Sequence, residues 1–232
     1  MNNEGKTMNM EIYAAGEGYI LYPLSDIDRD NYVELKRQVN GDNTLFLNPA
    51  TKDIMWDAAI RRDKDILFSI YEENGEYCGC IELQNFRSTT PEIGIDLMES
   101  KRNHGIATKA VRLLVQKACA EQSVDYFLIK IMSNNPHSRH VFEKMGAEFI
   151  GEEDRPFVAM MKEINPSKLK EYINSMADTI KAQTNDTDDN AVVYRYKLLP
   201  DSFIKTSCAL NTCNKELTSN YTPETKSHYS AV

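Results

Sequence analysis

A chain of 232 residues, 41% of them hydrophobic, can bury one substantial core and suits a single main domain with appendages. Its formal charge of −8 argues against a general nucleic-acid binder, which needs clustered Lys and Arg; it is mildly compatible with a cationic substrate such as an amine or a basic peptide, and better explained by a merely acidic surface. No apolar run approaches the roughly 20 residues that cross a bilayer, and the first residues lack a signal-peptide pattern, so a cytoplasmic protein without a membrane partner is expected. The five cysteines, Cys78, Cys80, Cys119, Cys208 and Cys213, are odd in number and scattered. They read as reduced thiols, and none stands at metal-site spacing, so no metal is expected.

Residues 1–18 form a polar start. Residues 19–23 read as a strand, and Ser25 or Asp26 offers an N-cap for an amphipathic helix through about Val39. A second helix is expected over roughly 51–62, then a strand over 65–71. Asn74-Gly75 marks a tight hairpin with positive φ at both central positions, so that 76–84 returns beside 65–71. Pro91 introduces a strand over 92–98, with Ile93, Ile95 and Leu97 on one face and Glu92, Gly94 and Asp96 on the other.

From Gly105 to about Glu121 the apolar residues follow helical steps of three and four, and 124–132 restores a strand. Asn135-Pro136 starts a short helix that ends near Met145-Gly146, and Phe149-Ile150 belongs to a further strand. Residues 152–190 read as an insertion, helical over about 167–182 and then polar. Residues 191–199 are strand-like, and 200–232 form a polar tail.

The residues with chemistry to offer lie where the strand ending at Met98 meets the helix beginning near Gly105. In Arg102-x-x-Gly105-x-Ala107 the first helical N–H groups have no intrahelical acceptor, so the turn suits an anion. Glycine there lets a phosphate approach the backbone, and alanine keeps the surface low. Taken alone, so short a motif is weak.

Its setting resembles the GNAT superfamily of acyl-CoA-dependent N-acetyltransferases, over about residues 19–151 with 192–199 as the final strand. The resemblance is carried by two blocks in order: Glu92-Ile-Gly-Ile-Asp-Leu-Met-Glu-Ser-Lys-Arg-Asn-His-Gly-Ile-Ala-Thr-Lys-Ala110, and Asn135-Pro-His-Ser-Arg-His-Val-Phe-Glu-Lys-Met-Gly146. It is nearest to the branch that includes the ribosomal-protein N-terminal acetyltransferases. It implies an α/β (α+β) fold over 19–199, with a mixed, mostly antiparallel central sheet flanked by helices.

The resemblance also implies acetyl-CoA as co-substrate, held in a V-shaped opening. Backbone of Leu97 and Met98 would meet the pantetheine, and amides of Arg102, Asn103, His104, Gly105, Ile106, Ala107 and Thr108 the pyrophosphate. Asn135 would hydrogen-bond the cofactor. Glu92 stands at the family's acidic position and is the candidate general base, with Asp96 as substitute. Many relatives protonate the departing thiolate with a tyrosine where this chain has Phe142, so Ser138, another hydroxyl or a water is the candidate acid, or the thiolate departs unaided.

Other departures are Glu99 for proline, Lys109 for glutamate, and Ala147 for an aromatic whose space Phe149 would fill. His104, His137 and His140 read as surface or packing residues, and Cys119 as a small buried side chain. Trp56, with Phe46, Leu47 and Met55, reads as core or as lining of the acceptor entrance. The expected partner is a primary amine, as a peptide N-terminus or a small amine; a second copy of the chain is a further candidate. The alternative is a binding module that senses acyl-CoA without turnover.

Overall fold

The computed structural model describes residues 11–40, 47–62, 64–154 and 191–202. Eight strands in the order β1-β2-β3-β4-β5-β6-β8-β7 form one sheet: β1 Ala14–Gly16, β2 Tyr19–Pro23, β3 Ile66–Glu72, β4 Tyr77–Gln84, β5 Glu92–Leu97, β6 Phe127–Met132, β7 Glu148–Glu153 and β8 Val193–Leu198. Four helices flank it: α1 Arg29–Val39, α2 Pro49–Ile60, α3 Ile106–Glu121 and α4 Pro136–Lys144. All strand pairs are antiparallel except β5 with β6. The expected mixed sheet between helices is therefore what forms, while the helix expected over 167–182 and the 200–232 tail fall mostly or wholly outside the described residues.

Two apolar layers explain the arrangement. On one face α3 and α4 close over Leu21, Phe68, Ile81, Ile93, Phe127 and Ile129 of the sheet, meeting them with Val111, Leu114, Val115 and Phe142. Each such side chain contributes about 1.5–3 kcal/mol when fully buried. On the other face α1 and α2 supply Tyr32, Leu35, Trp56 and Ala59 against Leu67 and Cys80. Trp56, 5% exposed, belongs to this smaller core, its ring edge-on to Tyr32 with centroids 5.9 Å apart. Phe46 lies outside the described residues, Leu47 is exposed and Met55 half-buried.

Three local expectations are corrected. The hairpin at Asn74-Gly75 gives positive φ to Gly75 alone (+87°), with Gly75 N–H bonded to Glu72 O at 2.9 Å and Glu72 N–H to Glu76 O at 2.9 Å. It is thus a three-residue loop closed by a left-handed glycine rather than a two-residue turn. The turn with two positive φ values is Glu17-Gly18 (+53° and +86°), which joins the unanticipated β1 to β2. Phe149, 54% exposed, does not fill the space beside Ala147; Ala147 itself is buried in the main core.

The third correction concerns β4. Ile70 pairs with Gly79 but Tyr71 pairs with Tyr77, so β4 carries one extra residue there. This bulge sends Cys78 into the main core and Cys80 into the smaller one, where alternation alone would put both on one face. Burial pushes the Cys78 thiol up to about 11 and the Cys80 thiol up to about 12. Cys119 is half-buried.

At the bulge the backbones of β4 and β5 come so close that a Cβ on Gly79 would meet the Asp96 carbonyl oxygen at 2.2 Å. Gly79→Ala is accordingly expected to destabilise the fold by about 2–3 kcal/mol, the upper range for overpacking, in urea denaturation. A loss below about 0.5 kcal/mol would mean that β5 is not held this tightly.

Candidate active site

The site begins with a mismatch in pairing along β5. All six residues from Glu92 to Leu97 pair with β4, whereas only Glu92 and Ile93 pair with β6, opposite Leu128 and Ile129. Past that point β5 and β6 part. Met98 N–H donates to Cys78 O at 2.9 Å, which fixes the alternation: even-numbered residues turn their backbone groups to β4, and Ile95 and Leu97 turn theirs to the opening. Leu97 and Ile95 are only partly buried there. Of the two residues expected to meet the pantetheine, Leu97 faces the opening. Met98 has its N–H engaged by Cys78 and its C=O by Lys101 N–H at 2.8 Å.

The turn after β5 is built to leave N–H groups over. A 3-10 turn, Glu99–Lys101, is anchored by Glu99 N–H to Gln38 Oε1 at 2.9 Å, so the residue standing in place of proline uses the very N–H that proline lacks. Arg102 N–H donates to Glu99 O at 3.3 Å, and its Nε to Leu97 O at 3.2 Å. Arg102 thus clamps the end of β5 to the turn, and its amide is engaged.

Asn103 (φ +66°) and Gly105 (φ +74°) are both left-handed, and Gly105 caps α3. The first helical bond is Lys109 N–H to Gly105 O at 3.3 Å, so the N–H groups of Asn103, His104, Gly105, Ile106, Ala107 and Thr108 have no acceptor among the described residues. A Cβ on Gly105 would meet nothing within 4 Å. Such a concavity of backbone donors at the start of a 16-residue helix fits a pyrophosphate. Ile106 is buried under the turn and holds it to the core.

Two lysines near the turn are occupied elsewhere. Lys101 pairs with Glu72 and Glu76, each at 2.9 Å, and Lys109 lies 5.0 Å from the Tyr19 ring centroid. At the end of β6, Asn135 caps α4: its Oδ1 accepts from Ser138 N–H at 3.0 Å, and its Nδ2 has no partner among the described residues. Ser138 is half-buried, and its hydroxyl likewise has no partner among the described residues. Phe142, one turn after Ser138, is buried in the main core. His104, His137 and His140 are all exposed.

The two carboxylates on the other face of β5 differ sharply. Asp96 is bound by Lys36 Nζ at 2.5 Å, and Lys36 also lies 5.4 Å from the Tyr32 ring centroid. Burial alone would lower the Lys36 pKa, but Cys80, Asp96 and Tyr32 around it hold the ammonium above its ordinary value. Glu92 has a longer contact, 3.3 Å to Lys130 Nζ, and its side chain is 17% exposed. Burial pushes the Glu92 carboxyl up, against the lowering effect of Lys130. Four residues of extended strand, about 13 Å, separate Glu92 from Asp96, so the two cannot act on one amine together. Sequence reasoning missed Gln38, Lys36 and Lys130, since no motif links α1 or β6 to β5.

Among the described residues no His, Cys, Asp and Glu cluster is placed to hold a metal, and no helix is long and apolar enough to cross a membrane.

A sheet that opens beside a helix N-terminus rich in free amides defines an acyl-CoA-dependent acyltransferase fold. The chain matches the acetyltransferase (GNAT) domain family over residues 20–148 and belongs to it. No curated protein matches the chain in sequence.

Among solved structures, spermidine N-acetyltransferase from Vibrio cholerae in complex with CoA and spermine is 14% identical, covering 82% of this chain and 99% of that one with a TM-score of 0.55. A point mutant of the same enzyme gives 14%, 83%, 99% and 0.58. A chimera of it with hSSAT gives 14%, 81%, 99% and 0.58. At such identities the likeness establishes the fold.

Replacing Gly105 by Glu puts a β-carbon in the left-handed region, at a cost of about 1–3 kcal/mol, and a negative charge among the amides. Acetyl-CoA affinity by calorimetry is expected to fall at least about tenfold with the circular dichroism spectrum unchanged. Undiminished binding would remove this turn from the cofactor site.

Proposed function

We propose that the chain transfers acetyl from acetyl-CoA to a primary amine, with the parting of β5 from β6 beside the amides of Asn103 to Thr108 as the observation that carries the reading. In this reading the turn holds the pyrophosphate and the pantetheine runs back along Ile95 and Leu97, whose N–H groups replace a missing strand. A donor of that kind also polarises the thioester carbonyl, stabilising the charge that develops on its oxygen. Asn135 Nδ2 is free to add a hydrogen bond to the cofactor.

Glu92 takes the proton of the acceptor ammonium, directly or through a water, and the freed amine attacks the thioester carbon. The C–N bond forms and the C–S bond breaks; the nitrogen gives up its second proton to water, and the thiolate leaves to be protonated through Ser138 or by water. Asp96 is a poor substitute base, because its carboxylate is already engaged by Lys36 Nζ at 2.5 Å. The acceptor is a small amine or a peptide α-amine. The branch resemblance favours the peptide, and the acidic chain suits either.

An assay of acetyl-CoA turnover with polyamines and with N-terminal peptides tests this directly. Glu92→Gln is expected to lower kcat about 10²–10³-fold while leaving acetyl-CoA affinity unchanged. Because the base must be ionised and its pKa is raised, activity in the native enzyme should climb with pH through a limb above the ordinary carboxylate range. Cofactor binding without turnover on any amine, indifferent to Glu92→Gln, would instead identify an acyl-CoA sensor.

A further inference from the structure

Beyond β5 the face that carries Glu92 is crossed by a row of charges. Opposite Glu92 on β4 stands Gln84, whose Nε2 donates to Glu82 Oε1 at 2.7 Å. Glu82 in turn pairs with Arg62 at 2.7 Å, and Arg62 lies 3.7 Å from Asp65. On the other side Lys130 of β6 lies 3.3 Å from Glu92 Oε2 and 3.1 Å from Glu153 Oε1 of β7, and Glu153 lies 3.5 Å from Arg195 Nε of β8. Along β5 itself, Asp96 is neutralised by Lys36. Among the described residues Glu92 therefore has one cation in ion-pair contact, and that cation is shared with a competing carboxylate.

The sharing is built into the fold. Glu148 pairs with Lys197, and regular alternation from there would put Glu152, not Glu153, on the charged face. The register shifts between Phe149 and Gly151, so that Gly151 faces Arg195 and Glu153 faces Val193. Gly151 takes φ +137° at this irregularity. The bulge thus re-aims β7 and delivers Glu153 to Lys130.

We propose that Lys130 and Glu153 are positioning residues that set the proton affinity of Glu92, Lys130 favouring its ionised form and Glu153 drawing Lys130 away. This rests on the reading of Glu92 as general base. The electrostatics around Glu92 agree in sign: burial, Glu153 and Glu82 raise its pKa, and Lys130 lowers it. A base needs to be a carboxylate at working pH yet keep enough affinity to take a proton from an ammonium. A half-share of one lysine meets both demands.

Two substitutions should move Glu92 in opposite directions. The measurement is ¹³C NMR titration of the Glu92 carboxyl in the full chain, its resonance assigned by loss in Glu92→Gln, beside the pH profile of kcat/KM. Lys130→Met is expected to shift the midpoint and the acid limb to higher pH, leaving kcat/KM on that limb about three- to tenfold lower. Glu153→Gln is expected to shift both to lower pH, and Lys130→Arg to keep the midpoint near that of wild type.

An unmoved midpoint in Lys130→Met, or a shift of the same sign in Glu153→Gln, overturns the proposal. Midpoints that move as stated while the acid limb stays fixed would uphold the charge coupling and sink Glu92 as the base.

Discussion

The site depends on β5 having neighbours of unequal reach. β4 pairs with it along its whole length, and β6 for two residues. The closed end is held by several bonds: Leu128 N–H to Pro91 O at 2.9 Å and Asp125 N–H to Thr89 O at 2.7 Å fasten the start of β6 beside the start of β5. The chain then reaches β6 only through the α3 crossover, as a parallel pair requires. The far ends are free of each other because β5 runs into the turn at Glu99 and β6 into the cap at Asn135. The β4 bulge lies against Asp96 and Leu97, so the extra bending and twist of a bulged strand fall on the part of β5 that β6 no longer accompanies. Backbone donors inside a protein need partners, and those of Ile95 and Leu97 have none in the sheet. The geometry that opens the cleft is also the geometry that gives it binding groups.

The same strand carries two acids in two environments, and their division of labour follows from their partners. Asp96 and Lys36 form a close, partly buried pair that locks α1 onto β5. Breaking such a pair leaves a charge without its partner, so its first role is architectural. Glu92 sits where burial opposes ionisation and a single shared lysine opposes burial. One strand can thus supply both a carboxylate tied into the architecture and one left with a contested partner.

Most of the architecture was legible in the sequence because each element announced itself twice, by period and by cap. Pro136 after the capping Asn135, and Gly105 before the apolar steps of α3, placed both helices close to where they form. What escaped was written in backbone exceptions. Glu17 takes a left-handed φ that glutamate seldom adopts, so the β1–β2 turn had no recognisable signal. The bulges at Gly79 and Gly151 depend on how neighbouring strands meet, and a single-strand pattern of alternation predicts the wrong face beyond each. The turn of unpaired amides before α3 was readable as local sequence. The partners of Glu92 and Asp96 come from α1, β6 and β7 and only folding brings them together.

The exchange of tyrosine for Phe142 looks at first like the loss of half the catalytic apparatus, yet the proton inventory of the proposed reaction argues otherwise. A thiol has an unperturbed pKa of about 8.5, whereas an alkylammonium has one of about 10.4. Near neutral pH the thiolate is therefore a tolerable leaving group without an acid, while an alkylamine acceptor, unlike a peptide α-amine with its pKa of about 7.7–8.0, is almost wholly protonated and useless without a base. Each pKa unit corresponds to about 1.4 kcal/mol, so the larger obstacle lies on the amine side. In the proposed reaction the hydroxyl of Ser138 and the N-terminal end of α4, with its favourable field for negative charge, would ease the departing sulfur. A chain that must economise on proton carriers can drop the tyrosine and pack Phe142 into the core. With Glu92 proposed as the base, the carboxylate such a chain would keep is the one on β5.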